Sequence, residues 1–235
     1  MVSDLLIVGA SSGLGHAMSC LIANKFRSTV LVSRSRPPSL GLSDGASREW
    51  IQCDVSKSSE IDNLASQLKD RSIRSIVFTA GTWESDRDIR NVGSSEIFDI
   101  ISTNTSSFVA LTTRLLDTLG QQCRCNVFVV ASTAALENAT GPRAAYAASK
   151  FGIRGAVHAL REITRKSRVY VTCLSVGGLA SDLDPFLSIE ETLKQTDFQR
   201  IPSADISRII LAVLDQSDAS VVKEVVMPAF GDTNA

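Results

Sequence analysis

The chain carries no excess of charge of either sign: 24 basic residues stand against 25 acidic ones, a net charge of −1. So even a balance offers no basic face for nucleic acid and no polybasic patch for an anionic membrane, and neither partner is expected. Long apolar runs are missing too; none approaches the roughly 20 residues of a membrane span. The first apolar run, Leu5-Leu6-Ile7-Val8, lacks both the basic stretch and the small-residue cleavage site of a signal peptide. Cysteine is sparse and unpatterned. Cys20, Cys53, Cys123, Cys125 and Cys173 form an odd set without a CxxC pair, read as thiols outside disulfides in a reducing, cytoplasmic setting. Only Cys123 and Cys125 lie close together. No second ligand pair or neighbouring histidine accompanies them, so no metal site is expected. The two histidines, His16 and His158, fall in predicted helices and are read as packing or surface residues.

What the chain does have is alternation. Short apolar runs rich in β-branched residues lie at 5–8, 29–32, 50–53, 75–79, 127–131, 169–174 and 221–227. Helix-period segments fall between them, at about 13–26, 58–70, 94–119, 142–165 and 204–216, with a shorter one at about 186–197. Continuous rather than alternating apolar strands mean a sheet covered on both faces. Strand–helix alternation means parallel strands joined by right-handed crossovers. The predicted fold is therefore α/β: a single-domain, Rossmann-type, doubly wound parallel sheet of about seven strands. That domain is assigned to residues 1–230, with 235 residues and 44% hydrophobic content sufficient for one sizeable core. Residues 33–47, rich in Ser, Pro and Gly, read as a surface loop, and 231–235 as a disordered tail.

The first strand runs into Gly9-Ala10-Ser11-Ser12-Gly13-Leu14-Gly15, and a helix follows at once. Glycine permits the tight turn and the close approach of backbone to a pyrophosphate, and the helix start adds amide donors. The spacing is G-x-x-x-G-x-G, not G-x-G-x-x-G. It resembles the short-chain dehydrogenase/reductase family, whose loop reads TGxxxGxG; Val8 stands where that family often has Thr.

The second strand ends in Val32-Ser33-Arg34-Ser35-Arg36, without the acid that would hold a ribose 2′-hydroxyl. A guanidinium there suits a 2′-phosphate, so NADP(H) is the predicted cofactor, with Arg34 its main ligand and Ser12, Ser33 and Arg36 as helpers. By resemblance, Asp54 hydrogen-bonds the adenine amino group and the Val55 amide contributes; helix N-capping by Asp54 is the competing reading. Phe78-Thr79-Ala80-Gly81 stands where the family has Asn-Asn-Ala-Gly. Ala80 and Gly81 match and are expected against the ribose. Phe78 and Thr79 depart, removing the asparagine that commonly steadies the central sheet.

Tyr146-Ala147-Ala148-Ser149-Lys150 places a phenol and an ammonium four residues apart, on one helix face. A nearby ammonium favours the phenolate and tunes the group for acid/base work. Upstream, Val129-Val130-Ala131-Ser132-Thr133 brings hydroxyls to a strand end, where one can stabilise a developing oxyanion. The family's serine lies 12 to 14 residues before its tyrosine. Ser132 lies 146 − 132 = 14 before Tyr146 and is preferred over Thr133, at 146 − 133 = 13. The resemblance also implies that Asn104, an awkward residue for a helix interior, holds a water linking the lysine to solvent. It further implies that Gly177 matches the glycine of the family's Pro-Gly at the cofactor and that the Ser181 hydroxyl, four residues on, meets the cofactor's carboxamide, although Val176 replaces the proline.

These matches run from the glycine loop to the last strand. They imply an NADP(H)-dependent oxidoreductase, more a ketone reductase than an alcohol oxidant, with Tyr146, Lys150, Ser132 and Asn104 as its catalytic set. Its substrate is expected to be a small carbonyl or alcohol compound, contacted from residues 81–90, 134–143 and a lid at 182–201. That lid carries Leu183, Phe186, Leu187, Leu193 and Phe198, which either cover the substrate or only pack the lid down. A homodimer or homotetramer is expected through the helices at 94–119 and 142–165. Two other readings use the same fold: a non-catalytic NADP(H)-binding regulator, and a dehydratase or epimerase that recycles its cofactor.

Overall fold

The computed structural model describes residues 4–120, 124–136 and 143–232. Each apolar run becomes a strand: β1 (Asp4–Val8), β2 (Ser28–Ser33), β3 (Arg48–Gln52), β4 (Ile73–Phe78), β5 (Cys125–Val130), β6 (Val169–Val176) and β7 (Glu224–Met227). All pair in parallel, in the order β3-β2-β1-β4-β5-β6-β7. This is the doubly wound Rossmann-type sheet that the alternation predicts.

The helices between the strands are α1 (Gly13–Leu21), α2 (Ser58–Leu68), α3 (Ser94–Ile101), α4 (Ser107–Leu115), α5 (Ala144–Ile163), α6 (Ile189–Gln195) and α7 (Ser203–Leu214). Successive residues of β1 point to opposite faces, and both faces are covered. Leu6 and Val8 join a core with Leu64 and Leu68 of α2, Phe108 and Leu111 of α4, and Ile153 and Val157 of α5. Leu5 and Ile7 join a second core with Met18 of α1 and Ile206 and Ile210 of α7. Each such fully buried large side chain contributes roughly 1.5–3 kcal/mol relative to exposure.

Three expectations are corrected. The single helix at 94–119 is instead α3, a π-helical turn at Ser102–Ser106, and α4, ending at Leu115. Asn104 lies inside the π turn, and its side-chain partners, given below, explain the local departure. The helix at 13–26 stops at Leu21 and continues as a 3₁₀ turn at Ala23–Lys25. Gly231 and Asp232, placed in the tail by sequence, form a turn: the Asp232 amide donates to the Ala229 carbonyl, and the Ala229 amide to Asp232 Oδ2. Residues 233–235 and Cys123 lie outside the described residues, as do 137–142 of the substrate segment. Cys20, Cys53, Cys125 and Cys173 are buried and none is in a disulfide. Among the described residues, no helix is long and apolar enough to cross a membrane.

Candidate active site

From β1 the chain winds to one side through β2 and β3, and from β4 to the other. The loops leaving the carboxyl ends of β1 and β4 therefore part, leaving a crevice at the switch point. A cleft of about 820 Å³ opens there, lined from Gly9 to Ser181 by the residues named above as cofactor contacts, except Arg36, which does not line it.

Its floor is where two loops meet. Gly9 has φ +93°, and a Cβ on it would stand 2.6 Å from the Ala80 amide nitrogen. A Cβ on Gly15 would stand 2.2 Å from the Gly9 carbonyl oxygen and 2.5 Å from Thr79 Oγ1. Only glycine fits at either place. Thr79 also answers the missing asparagine: its hydroxyl donates to the Val8 carbonyl at 2.8 Å, tying β4 to β1 where the loops part. Ser12 caps α1 in an extended conformation without a side-chain capping bond. The first-turn amides of α1 are therefore not capped by it, as phosphate binding at a helix start requires.

Arg34 is exposed at the rim of this end of the cleft. Ser33 Oγ donates to the Ser35 carbonyl at 2.7 Å, shaping the turn that presents it. Asp54 does not cap α2, whose N-cap is Lys57. It accepts from the Ser56 hydroxyl at 2.7 Å and the Ser56 amide at 3.1 Å, closing its own turn. Burial works against its charge, but the Ser56 bonds and the charges of Lys57 and Arg34 prevail and hold its carboxyl below the usual range.

At the other end stand Tyr146 and Lys150. The ammonium nitrogen lies 5.5 Å from the centre of the tyrosine ring and donates to the Val130 carbonyl at 2.8 Å. Lys150 is 5% exposed, and burial brings its pKa down from 10.5 to about 8. The tyrosine moves opposite to the sequence expectation. Burial pushes its phenol up, a hydrogen bond with Ser132 and the charge of Arg143 pull it down, and the charge of Glu84 pushes it up again. Desolvation wins because it disfavours whichever form is charged. Ser132 is thus the hydroxyl that meets Tyr146; its Oγ also accepts from the Ala134 amide at 3.1 Å.

Asn104 is wholly buried and does not face solvent. Its Oδ1 accepts from the Thr82 amide at 2.7 Å, and its Nδ2 donates to the Thr82 carbonyl and to Ser149 Oγ, both at 2.8 Å. Tyr146 and Lys150 line the cleft directly; Ser132, hydrogen-bonded to Tyr146, and Asn104 adjoin them without lining it. Gly81 faces both halves of this cluster: a Cβ there would stand 3.4 Å from Asn104 Oδ1 and 3.5 Å from Lys150 Nζ.

Sequence reasoning missed the wall formed by Asp99, Ile100 and Thr103, which line the cleft from α3 and the π turn. The polar Asn104 inside an apolar-periodic helix was the only hint that this segment faces a site. Gly177 proves to have a second reason to be glycine, since a Cβ would stand 1.9 Å from Asp232 Oδ2 in the C-terminal turn. In the lid, Phe186 and Phe198 are 58% and 56% exposed and do not line the cleft. Asp197 and Phe198 both have positive φ, 48° and 58°, an uncommon backbone for such residues.

Residues 4–191 match the family model described as short chain dehydrogenase. A protein named an uncharacterized oxidoreductase from Mycobacterium tuberculosis is 26% identical over 191 residues, covering 76% of this chain and 74% of that one. A sepiapterin reductase from Chlorobaculum tepidum is 26% identical, with 97% of each chain covered. A metagenomic short-chain oxidoreductase solved in complex with NADP has a TM-score of 0.78 at 22% identity, over 96% of each chain. At that identity the last likeness speaks for the fold.

Proposed function

Because the chain belongs to the short-chain dehydrogenase family of oxidoreductases, we propose that it is an NADP(H)-dependent reductase of small ketones, with Tyr146 as its acid/base. The observation that carries this reading is the layout of one cleft. Tyr146 and Lys150 line one end with Ser132 bonded to Tyr146, and the glycine loop and Arg34 line the other. The residues present fit a dinucleotide phosphate: the α1 start without a side-chain cap, the tight Gly9–Gly15 turn that only glycine permits, and Arg34 at the rim all border the cleft. When bound, the reduced nicotinamide supplies hydride to the carbonyl carbon.

The chain's own residues do the rest. Tyr146 Oη gives its proton to the substrate oxygen as that oxygen gains negative charge. Burial suits it to this direction, since a phenol pushed upward stays protonated at neutral pH. Ser132 Oγ donates to the same oxygen and stabilises the developing charge. The Lys150 ammonium, fixed on the Val130 carbonyl, keeps positive charge beside the phenol as its proton leaves. A relative named as a reductase and matched along both chains supports the reductive direction. Part of the proposal is a homodimer or homotetramer, with Phe98 of α3 and Phe151 of α5 exposed on the helices read as pairing faces.

Titration with NADPH and NADH, followed by nicotinamide fluorescence, tests the cofactor. Arg34→Ala is expected to weaken NADPH about 10- to 100-fold, the scale of a lost charged hydrogen bond, and to leave NADH within about threefold. Equal weakening of both would remove Arg34 as the 2′-phosphate ligand. NADH binding tighter than NADPH in the wild type would reverse the cofactor assignment. For the lid, Phe186→Ala with Phe198→Ala is expected to leave KM for a reducible ketone within about twofold, as exposed substitutions away from the cleft do. A larger rise in KM would return those rings to a substrate-covering role.

A further inference from the structure

The Tyr146 peptide sits inside a closed ring of hydrogen bonds. Its amide donates to Glu84 Oε1 at 3.1 Å, and its carbonyl accepts from Ser149 Oγ at 2.7 Å. Ser149 Oγ in turn accepts from Asn104 Nδ2, and Asn104 grips both polar groups of the Thr82 peptide. Thr82 and Glu84 belong to the same loop, which leaves β4, so the ring closes.

Glu84 is its charged member. It is 1% exposed, and its Oε1 also accepts from the Ala145 amide at 2.8 Å. It thereby does what a helix N-cap does, from some sixty residues away in sequence. Arg143, the residue in the cap position itself, makes no side-chain capping bond; its guanidinium instead donates to the Glu84 carbonyl. The loop is pinned beyond Glu84 as well: the Ser85 amide and hydroxyl donate to the Glu96 carboxylate at 2.6 and 3.0 Å. Glu84 Oε2 is buried with no hydrogen-bond partner among the described residues. A carboxylate held in this way is stabilised by the amides and the positive end of α5, so its position and that of the first helical turn are fixed together.

We infer that Glu84 is the positioning residue of Tyr146, its carboxylate holding the first turn of α5 so that the phenol stands against Ser132. The inference rests on Tyr146 being the acid/base, and its test separates the two. Reach and charge are separated by two variants. Glu84→Gln keeps an acceptor oxygen at the same reach and loses the charge; Glu84→Asp keeps the charge and falls one methylene short.

With NADPH and an excess of a small diketone, Glu84→Asp is expected to lower kcat about 10- to 100-fold, the scale of a misplacement near 1 Å, with KM for NADPH unchanged. Glu84→Gln is expected to remain within about fivefold of wild type, since its amide oxygen still accepts both backbone hydrogen bonds. The chain has only two tyrosines, so the Tyr170→Phe background lets phenolate absorbance report Tyr146 alone, without substrate. There Glu84→Asp is expected to bring the transition down toward the ordinary tyrosine range, as a loosened turn lets water reach the phenol, while Glu84→Gln lowers it only by the small share that the lost charge contributes. An aspartate variant with wild-type kcat and an unmoved transition overturns the inference, and so does a glutamine variant that loses as much as the aspartate. If the wild type reduces no diketone or ketone, the assignment of Tyr146 falls, while the absorbance titration still decides whether Glu84 holds its place.

Discussion

Tyr146→Phe is expected to lower kcat for ketone reduction by about 10³-fold, within the range that a positioned proton donor contributes, while NADPH affinity stays within about threefold. The phenylalanine ring fills the same half-buried space at the cleft wall, so the fold has no reason to change. What is lost is the proton that must reach the substrate oxygen; Ser132 Oγ, which accepts from the Ala134 amide and keeps its own proton to donate, can stabilise charge there, but an aliphatic hydroxyl is too weak an acid to give that proton up. Stopped-flow turnover with NADPH, read beside an equilibrium cofactor titration, separates the two effects. Turnover by Tyr146→Phe within tenfold of wild type would falsify the assignment. The wild-type pH profile carries a second signature. The phenol, pushed upward by burial, stays protonated through neutral pH, whereas the Lys150 ammonium loses its proton near pH 8. Activity is therefore expected to fall as pH rises through about 8, from the lysine rather than from the tyrosine.

Lys150→Met is expected to move function and stability in opposite directions. Turnover falls by about 10²-fold or more, because positive charge beside the phenol is removed. Stability rises, because the folded chain holds this lysine at a pKa of about 8 against an ordinary 10.5. The sign follows from proton counts. Between those two values the unfolded chain binds more protons than the folded one, so wild-type stability climbs with pH through that window. Below about pH 8 the wild type bears the whole cost of a buried ammonium. At about 1.4 kcal/mol per pKa unit that cost is roughly 3 kcal/mol. Methionine, of similar length and apolar, removes it, but leaves the Val130 carbonyl without its donor, an offset of about 1 kcal/mol. The expected net gain is about 2 kcal/mol at pH 7, shrinking away above pH 10. Urea unfolding of both proteins at the two pH values measures it. A variant less stable than wild type at pH 7 would mean that the lysine sits in its pocket without strain.

The fold and much of the site were legible in the sequence wherever the signal is local. Continuous apolar runs such as Leu5-Leu6-Ile7-Val8 announce strands covered on both faces, because no other environment takes such a run. Gly9 and Gly15 announce a backbone packed close against another, and Gly13 a left-handed turn. Tyr146 and Lys150 share a helix face by spacing alone. The π turn at Asn104 was not legible, because the partners that select it, Thr82 and Ser149, lie 22 and 45 residues away. Nor was the second demand on Gly177, imposed by Asp232 from the far end of the chain.

Backbone period, turn chemistry and residue spacing are properties of neighbours along the chain, and they sufficed for the layer architecture, the glycine loop and the identity of the phenol–ammonium pair. The ionisation of that pair was decided only on folding. Spacing predicts that Lys150 lowers the Tyr146 phenol, whereas burial raises the phenol and lowers the lysine. Desolvation is set by everything packed around a group, and no stretch of sequence contains it. Thr79 taking up the tie between β4 and β1, and Glu84 capping a helix some sixty residues on, arise in the same way. Each is a hydrogen bond between segments that only the closed sheet brings within reach.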